Sequence, residues 1–290
     1  MLAGRLRAGL IRPEAHGTSD WTTDAVLEID GDRGFGPVVA LDAIGQISER
    51  ARDTGISIAA IHNSNHLGML GYYVERIARD GQIGLALTTG EALVHPWGGR
   101  EAMLGANPIA IGIPADAEPF VVDMATSVVS MGQVLEHLWR GEPIPEGWAL
   151  DVDGKPTQDP GAASHGSLAP FGGFKGYALG LAIGLIVSAV TGTAVGPEIK
   201  GTLDTTDISN KGDVFMCIDL ARMRNSTNVG SRLSEYLALI RQSKPQLTGE
   251  SISIPGDRSR AIRDERSANG IPIPDAVWDA CVALARSREA

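Results

Sequence analysis

Residues 56–68 read Ile56-Ser57-Ile58-Ala59-Ala60-Ile61-His62-Asn63-Ser64-Asn65-His66-Leu67-Gly68, an apolar run passing directly into a polar loop that holds two imidazoles. The apolar run reads as a buried strand. A strand ending in a polar loop delivers side chains to the rim of a sheet, where open α/β proteins place their chemistry. This position makes His66 a catalytic candidate.

Working outward, Val38, Leu41, Ile44, Ile47 and Ala51 recur at helical spacing and the pattern stops at Gly55, so residues 38–54 read as an amphipathic helix. Downstream, residues 71–79 read as a second helix, closed by Asp80-Gly81, before the all-apolar strand Ile83-Gly84-Leu85-Ala86-Leu87-Thr88. Strand, helix and strand make a β-α-β unit and favour a parallel or mixed sheet. Residues 108–113 and 120–124 add two strands around Pro114-Ala115-Asp116, and the stretch between Arg140 and Ser167, rich in Gly, Pro and Asp, reads as a long ordered loop. From Asn225 onward the pattern is helical again, with Leu233, Tyr236, Leu237 and Ile240 on one face and a last helix over 274–286. The expected fold is α/β: a mixed-sheet domain over 56–224, and a helical subdomain formed by the two termini, 1–55 and 225–290.

The chain has 290 residues, 43% hydrophobic and 21% charged, with a formal net charge of -10. That balance suits a large buried core and leaves no broad basic surface for nucleic acid or an anionic membrane. Cys217 and Cys281 both lie in apolar surroundings, so buried thiols in a reducing cytoplasm are expected in place of a disulfide. The N-terminus shows no signal-peptide core. Tyr177 to Gly196 carries no charge and contains the pair Gly180 and Gly184. Its strongly apolar part ends near Val190, so it reads as a helix buried on all sides of a soluble core, its glycines admitting a close neighbour, and not as a membrane span.

Four stretches can carry chemistry. His62 and His66 stand four apart, a spacing compatible with metal ligands, with a structural pair, or with acid/base work by His66. The intervening Asn63-Ser64-Asn65 favours a turn and no HExxH glutamate is present, so no metal is expected. The strand Val121-Val122-Asp123-Met124 runs through Ala125 into Thr126-Ser127 and a helical pattern over 128–139; Thr126 or Ser127 can cap that helix, beside an anion or simply as a cap. Gly172-Gly173-Phe174-Lys175-Gly176 joins permissive backbone and a cation to a helix N-terminus, an anion site or a plain turn. It lacks the Walker A spacing, and no GxGxxG follows a strand. Ile254-Pro255-Gly256-Asp257-Arg258 by itself means a turn.

Taken with His95-Pro96-Trp97-Gly98-Gly99, Leu104-Gly105-Ala106-Asn107-Pro108-Ile109-Ala110, Gly141-Glu142-Pro143-Ile144-Pro145-Glu146-Gly147-Trp148-Ala149 and Gly154-Lys155-Pro156-Thr157, these stretches resemble, in order and over nearly the whole chain, the malate/L-lactate dehydrogenase family that lacks a Rossmann domain. Its relatives include ureidoglycolate and sulfolactate dehydrogenases, diketogulonate reductase and cyclic imino-acid reductases. The resemblance implies a homodimer that transfers a hydride between NAD or NADP and a small 2-keto or 2-hydroxy acid, with cyclic imino-acid reduction as an alternative. It implies proton transfer at His66, with Asp123 carried beside it as catalytic. It also implies cofactor contacts at Asp123, Met124, Ala125, Thr126, Phe174, Lys175, Gly256, Asp257 and Arg258. Two features depart from the family pattern: Ala106 stands where a threonine is usual, and the chain starts after the point where the family carries a Ser-His-Gly motif and a nearby arginine. The expectation is either that residues lie upstream or that this is a shortened, catalytically impaired homologue.

Overall fold

A computed structural model describes residues 2–224, 228–247 and 250–286. Along the chain run α1 (Leu2–Arg7), β1 (Thr18–Trp21), β2 (Val26–Asp30), α2 (Gly36–Thr54), β3 (Ile56–His62), α3 (Leu70–Arg79) and β4 (Gln82–Thr88). Next come β5 (Ile109–Ile113), β6 (Phe120–Met124), α4 (Met131–Arg140), β7 (Ala149–Leu150), β8 (Pro156–Thr157), α5 (Pro160–His165) and β9 (Ser167–Leu168). The last are α6 (Phe174–Thr191), β10 (Asp213–Asp219), α7 (Val229–Gln242), α8 (Asp257–Asn269) and α9 (Asp275–Arg286).

Seven strands form one sheet in the order β1-β2-β3-β10-β4-β5-β6. Only β2 and β3 pair in parallel, joined through α2; the other neighbours are antiparallel. The sheet is therefore mixed, unlike the parallel order of a Rossmann domain. The β3-α3-β4 unit read from the sequence is split, because β10 inserts between its strands and pairs with both. This insertion sets the chemistry: the C-terminal ends of β3 and β4 and the start of β10 meet at one rim, with Asp213 opposite both Ile61 and Thr88. The apolar faces of α2 and α3 close the main core, where Ile47, Ile61, Tyr73, Val74, Ile77 and Phe215 are buried.

The domain expectation changes at the front of the chain. Residues 18–30 are strands of the sheet and α2 packs against β3 and β10, so residues 1–55 belong with the sheet and not with the C-terminal helices. The two compact units are Met1–Glu235 and Tyr236–Ala290. The boundary expected at 225 falls on residues 225–227, outside the described residues. The supposed loop from 140 to 167 carries α5 and a three-stranded sheet, β8-β7-β9, whose strands are too short to show alternation. Cys217 is buried and unpaired as expected, and burial pushes its thiol up to about 11; Cys281 is exposed, because α9 does not bury that face.

Helix α6 also differs from expectation. It is long and apolar enough to cross a membrane, yet only 28% of its 18-residue span is buried. One side lies on the sheet: Ile183 and Val187 pack with Leu87 and Val214, and Gly180 and Gly184 bring the backbone against Thr126 and Asn107. The other side exposes Leu181, Leu185, Ile186 and Val190. Gly176 shows how tight the first turn is, since a Cβ there would stand 1.8 Å from the Phe171 carbonyl oxygen. Gly176→Ala is expected to cost about 1–3 kcal/mol through overpacking, read as a lower denaturation midpoint with an unchanged m-value.

Candidate active site

The polar loop after β3 sorts itself by hydrogen bonding. Asn63 Nδ2 donates to Asp30 Oδ1 at 2.7 Å, and Asn65 Nδ2 donates to the carbonyls of Arg33 and Gly34. Buried Arg5 completes Asn65 by donating to its Oδ1 at 3.1 Å, while its other nitrogen donates to the carbonyls of Asp204 and Asp207. These side chains are structural and hold the loop in place. Below them the Tyr73 hydroxyl donates to the Leu67 carbonyl at 2.5 Å. His66 is exposed, as are Gly68 and Met69 after it.

The Gly68 N–H donates to His66 Nδ1 at 2.9 Å. A ring nitrogen that accepts carries no proton, so the neutral ring bears its hydrogen on Nε2. Two causes hold the His66 pKa below the ordinary imidazole value: partial burial of the ring, then the nearby charge of Lys211, against a smaller opposing pull from Asp213. Within this loop, then, His66 is a neutral hydrogen-bond donor at Nε2.

His66 borders a cavity of about 170 Å³ whose wall includes Thr88, Thr89, Glu91, Asn107 and Lys211. Lys211 was not singled out in the sequence, nor was its partner. Its ammonium donates to both oxygens of Asp213, at 2.5 and 2.6 Å, and the two side chains are 2% and 0% exposed. Thr88 also donates to Asp213 Oδ1. Only a spacing of two residues in Asn210-Lys211-Gly212-Asp213 marked this pair, and such a spacing is common in solvated turns. Asn107 completes the wall with a backbone φ of 28°, its Nδ2 donating to the Gly180 carbonyl. Among the described residues its buried Oδ1 finds no partner.

The other expected site residues fall elsewhere. Asp123 stands at the end of β6 and its Oδ2 accepts from the Gly71 N–H at 2.7 Å, so it caps the start of α3 from another element. Burial raises its pKa, and the backbone N–H groups of Gly71 and Leu70 pull it the other way. It is not on the wall of the His66 cavity, because the cap draws it toward α3. Thr126 does not cap α4: its hydroxyl donates to the Ala106 carbonyl, and Ser127 donates to the Val129 carbonyl. The helix begins later, at Ser130, which accepts from the Gln133 N–H. Met124 and Ala125 continue the same edge, half-buried.

Phe174 and Lys175 are exposed on the first turn of α6. Gly173 precedes them at φ 63°, and no side chain caps the helix. A Cβ on Gly173 would stand 2.8 Å from the Trp97 ring, so glycine fits this close approach. The first-turn N–H groups of a helix have no intrahelical partner, and here they stand beside the Lys175 cation.

Gly256, Asp257 and Arg258 lie in the C-terminal unit, at the start of α8, with Gly256 at φ 97°. Asp257 is engaged there by Arg241, by Arg260 and by the Ile254 N–H; Arg258 is exposed. The Arg241 hydrogen bond is the main reason the Asp257 carboxyl lies well below the usual carboxylate range. A lowered folded-state pKa gives stability that is present above the unfolded value, about 4, and lost as pH falls through the folded value. Acidification from about pH 5 to about pH 2 is therefore expected to weaken this unit, and Asp257→Asn to flatten that dependence, as read by unfolding monitored at each pH.

Comparison with known proteins gives concordant results. The family model for malate/L-lactate dehydrogenase matches residues 1–281. The L-sulfolactate dehydrogenase of Methanothermobacter thermautotrophicus is 38% identical over 281 residues, covering 97% of this chain and 81% of that protein. A Delta(1)-pyrroline-2-carboxylate reductase of Burkholderia ambifaria is 32% identical, covering 96% of this chain and 81% of that protein. The crystal structure of a dehydrogenase from Sinorhizobium meliloti superposes with a TM-score of 0.93 at 47% identity, over 98% of this chain and 83% of that one.

Proposed function

Because the chain belongs to the malate/L-lactate dehydrogenase family, we propose that it is an NAD- or NADP-dependent oxidoreductase acting on a small 2-keto or 2-hydroxy acid of the malate, lactate or sulfolactate kind. The observation that carries this reading is the single cavity wall shared by His66, Lys211 and Asn107. It offers donors to a carbonyl oxygen and one buried acceptor still lacking a hydrogen.

The residues present fit a dinucleotide. Backbone N–H groups at the start of α6, with Lys175, would hold its phosphates, and the orphaned Asn107 Oδ1 suits an amide N–H in the cavity. When bound, the nicotinamide supplies the hydride. His66, on the cavity wall, would offer its Nε2–H to the oxygen on which charge develops. Gly68 fixes its tautomer, and Arg5, Asn65 and Tyr73 fix the loop that carries it. Met124, Ala125, Gly256, Asp257 and Arg258 remain proposed cofactor contacts on family resemblance. Asp123 is retained only as a cofactor-edge residue, since its carboxylate is committed to α3.

We place this enzyme in the cytoplasm as a soluble homodimer. The exposed apolar side of α6 is the surface that supports dimerisation, and sedimentation equilibrium checks it. A titration of NADH and NADPH fluorescence, followed by a panel of 2-keto acids and cyclic imines, tests the activity. Lys175→Ala is expected to weaken cofactor binding by about 1.5–3 kcal/mol, roughly tenfold to a hundredfold in Kd, through loss of a charge-assisted bond. An unchanged Kd removes Lys175 from the site.

A further inference from the structure

The cavity beside His66 is polar only in part, since its wall also includes Leu67, Leu93, Ala106, Pro108 and Leu203. Leu203 differs from the other two leucines because it stays 40% exposed, so core packing does not account for its place. The loop that carries it is held from two sides. On one side, a single carboxylate oxygen of Glu91 accepts from the Leu203 N–H and from the Thr202 N–H, each at 2.7 Å. On the other, buried Arg5 of α1 donates to the Asp204 carbonyl at 2.8 Å and to the Asp207 carbonyl at 3.1 Å. Asp204 closes the loop on itself, its carboxylate accepting from the N–H groups of Gly201, Thr206 and Asp207. Helix α1 lies close against the same segment, since a Cβ on Gly4 would stand 3.0 Å from Thr205 Cγ2. Arg5 also donates to Asn65, so one guanidinium ties the wall bearing Leu203 to the loop bearing His66. A part-exposed leucine on a loop fixed in this way presents a set apolar surface to the cavity.

We propose that Leu203 is a specificity-determining residue of this site: with Leu93 it forms the wall against which the substrate's carbons beyond C2 pack, so the preferred substrate is a 2-keto or cyclic imino acid with one carboxylate and an apolar remainder. The inference rests on the oxidoreductase reading above and narrows it. A methyl or methylene group set against leucine leaves water favourably. A second carboxylate, or a sulfonate, loses hydration in the same place and gains no donor from these side chains. Lys211 does not change this balance, because its ammonium is already paired with both oxygens of Asp213. Size is read by the same wall. Glu91 and Arg5 keep its backbone from retreating, so the bulk of residue 203 sets how long an apolar chain the cavity admits.

The test compares wild-type protein with Leu203→Ala and Leu203→Phe, with folding checked by thermal unfolding and NADH and NADPH affinity by fluorescence. Wild type is expected to show a kcat/KM at least about tenfold higher for pyruvate or 2-oxobutanoate than for oxaloacetate or sulfopyruvate. Leu203→Ala should raise the kcat/KM ratio of 2-oxopentanoate to pyruvate by about tenfold, and Leu203→Phe should lower it by a similar factor, with cofactor Kd within about twofold of wild type throughout. Δ1-Piperideine-2-carboxylate and Δ1-pyrroline-2-carboxylate differ by one ring methylene, and their ratio should move in the same directions. A second readout needs no turnover: in the NADH or NADPH complex, the affinity of N-ethyloxamate relative to oxamate should rise in the alanine variant and fall in the phenylalanine variant. A preference of wild type for the dianionic keto acids, substrate ratios unmoved by both variants, or a change in cofactor Kd in their place would overturn the assignment while leaving the oxidoreductase reading intact. Wild-type protein that binds cofactor yet reduces no keto acid and no cyclic imine would instead overturn that reading, and this inference with it.

Discussion

Asp213→Ala is expected to destabilise the sheet-bearing unit by about 3–5 kcal/mol, because it leaves the Lys211 ammonium buried without its counter-charge. The effect is large for a geometric reason. Asp213 lies in the central strand, paired on both sides to Ile61 and Thr88, so the backbone cannot shift to give the stranded ammonium a new partner. Thr88 loses its carboxylate acceptor at the same time. Urea unfolding measures the loss as a fall in midpoint. The Lys211→Met/Asp213→Asn double variant should recover most of it, since removing both charges removes the desolvation cost as well as the attraction. If the single variant is as stable as wild type, the pair is solvated and the description of the rim is wrong.

His66→Ala carries the second large effect. Loss of one preorganised donor to a developing oxyanion typically lowers kcat by a hundredfold to a thousandfold, about 2.7–4 kcal/mol. Cofactor Kd and unfolding midpoint should hardly change, because the hydrogen bond that His66 accepts from Gly68 stays within its own loop. A matched fall in stability and cofactor affinity would instead make His66 a structural residue. His66→Gln, which keeps an N–H near the same reach, should retain more activity than alanine.

Much of the sheet was legible because its strands are apolar runs bounded by turns: β3, β4, β5 and β6 all lie where the pattern puts them, and α2, α3 and α6 begin within a few residues of expectation. The strands that escaped were β1 and β2, where Thr18–Trp21 is almost wholly exposed and Val26–Asp30 buries only alternate residues. Missing them sent the first 55 residues to the wrong unit. The insertion of β10 between β3 and β4 was also invisible, since strand order is decided by long-range pairing and not by local pattern. In the candidate site, His66 on the cavity wall and Lys175 on the first turn of α6 stand where the sequence pattern puts them. Asp123 lies off the wall of the His66 cavity and caps α3 from β6, a role that looks the same in sequence as a ligand contact. Lys211 and Asp213 were missed because their burial follows from the β10 insertion, which no local signal announces. The exposed side of α6 shows a similar limit: an apolar helix bears no mark of whether its second face meets its own chain or another.

The most direct test of the central claim is isotopic. The 290-residue chain is incubated with NADH or NADPH carrying deuterium at both C4 positions, together with oxaloacetate, pyruvate or sulfopyruvate, and the organic acid product is analysed by mass spectrometry and NMR. The oxidoreductase reading predicts a 2-hydroxy acid one mass unit heavier, with the deuterium at C2, for at least one of these keto acids. Product without deuterium at C2, or a protein that binds the cofactor and leaves every keto acid and cyclic imine unchanged, would contradict it.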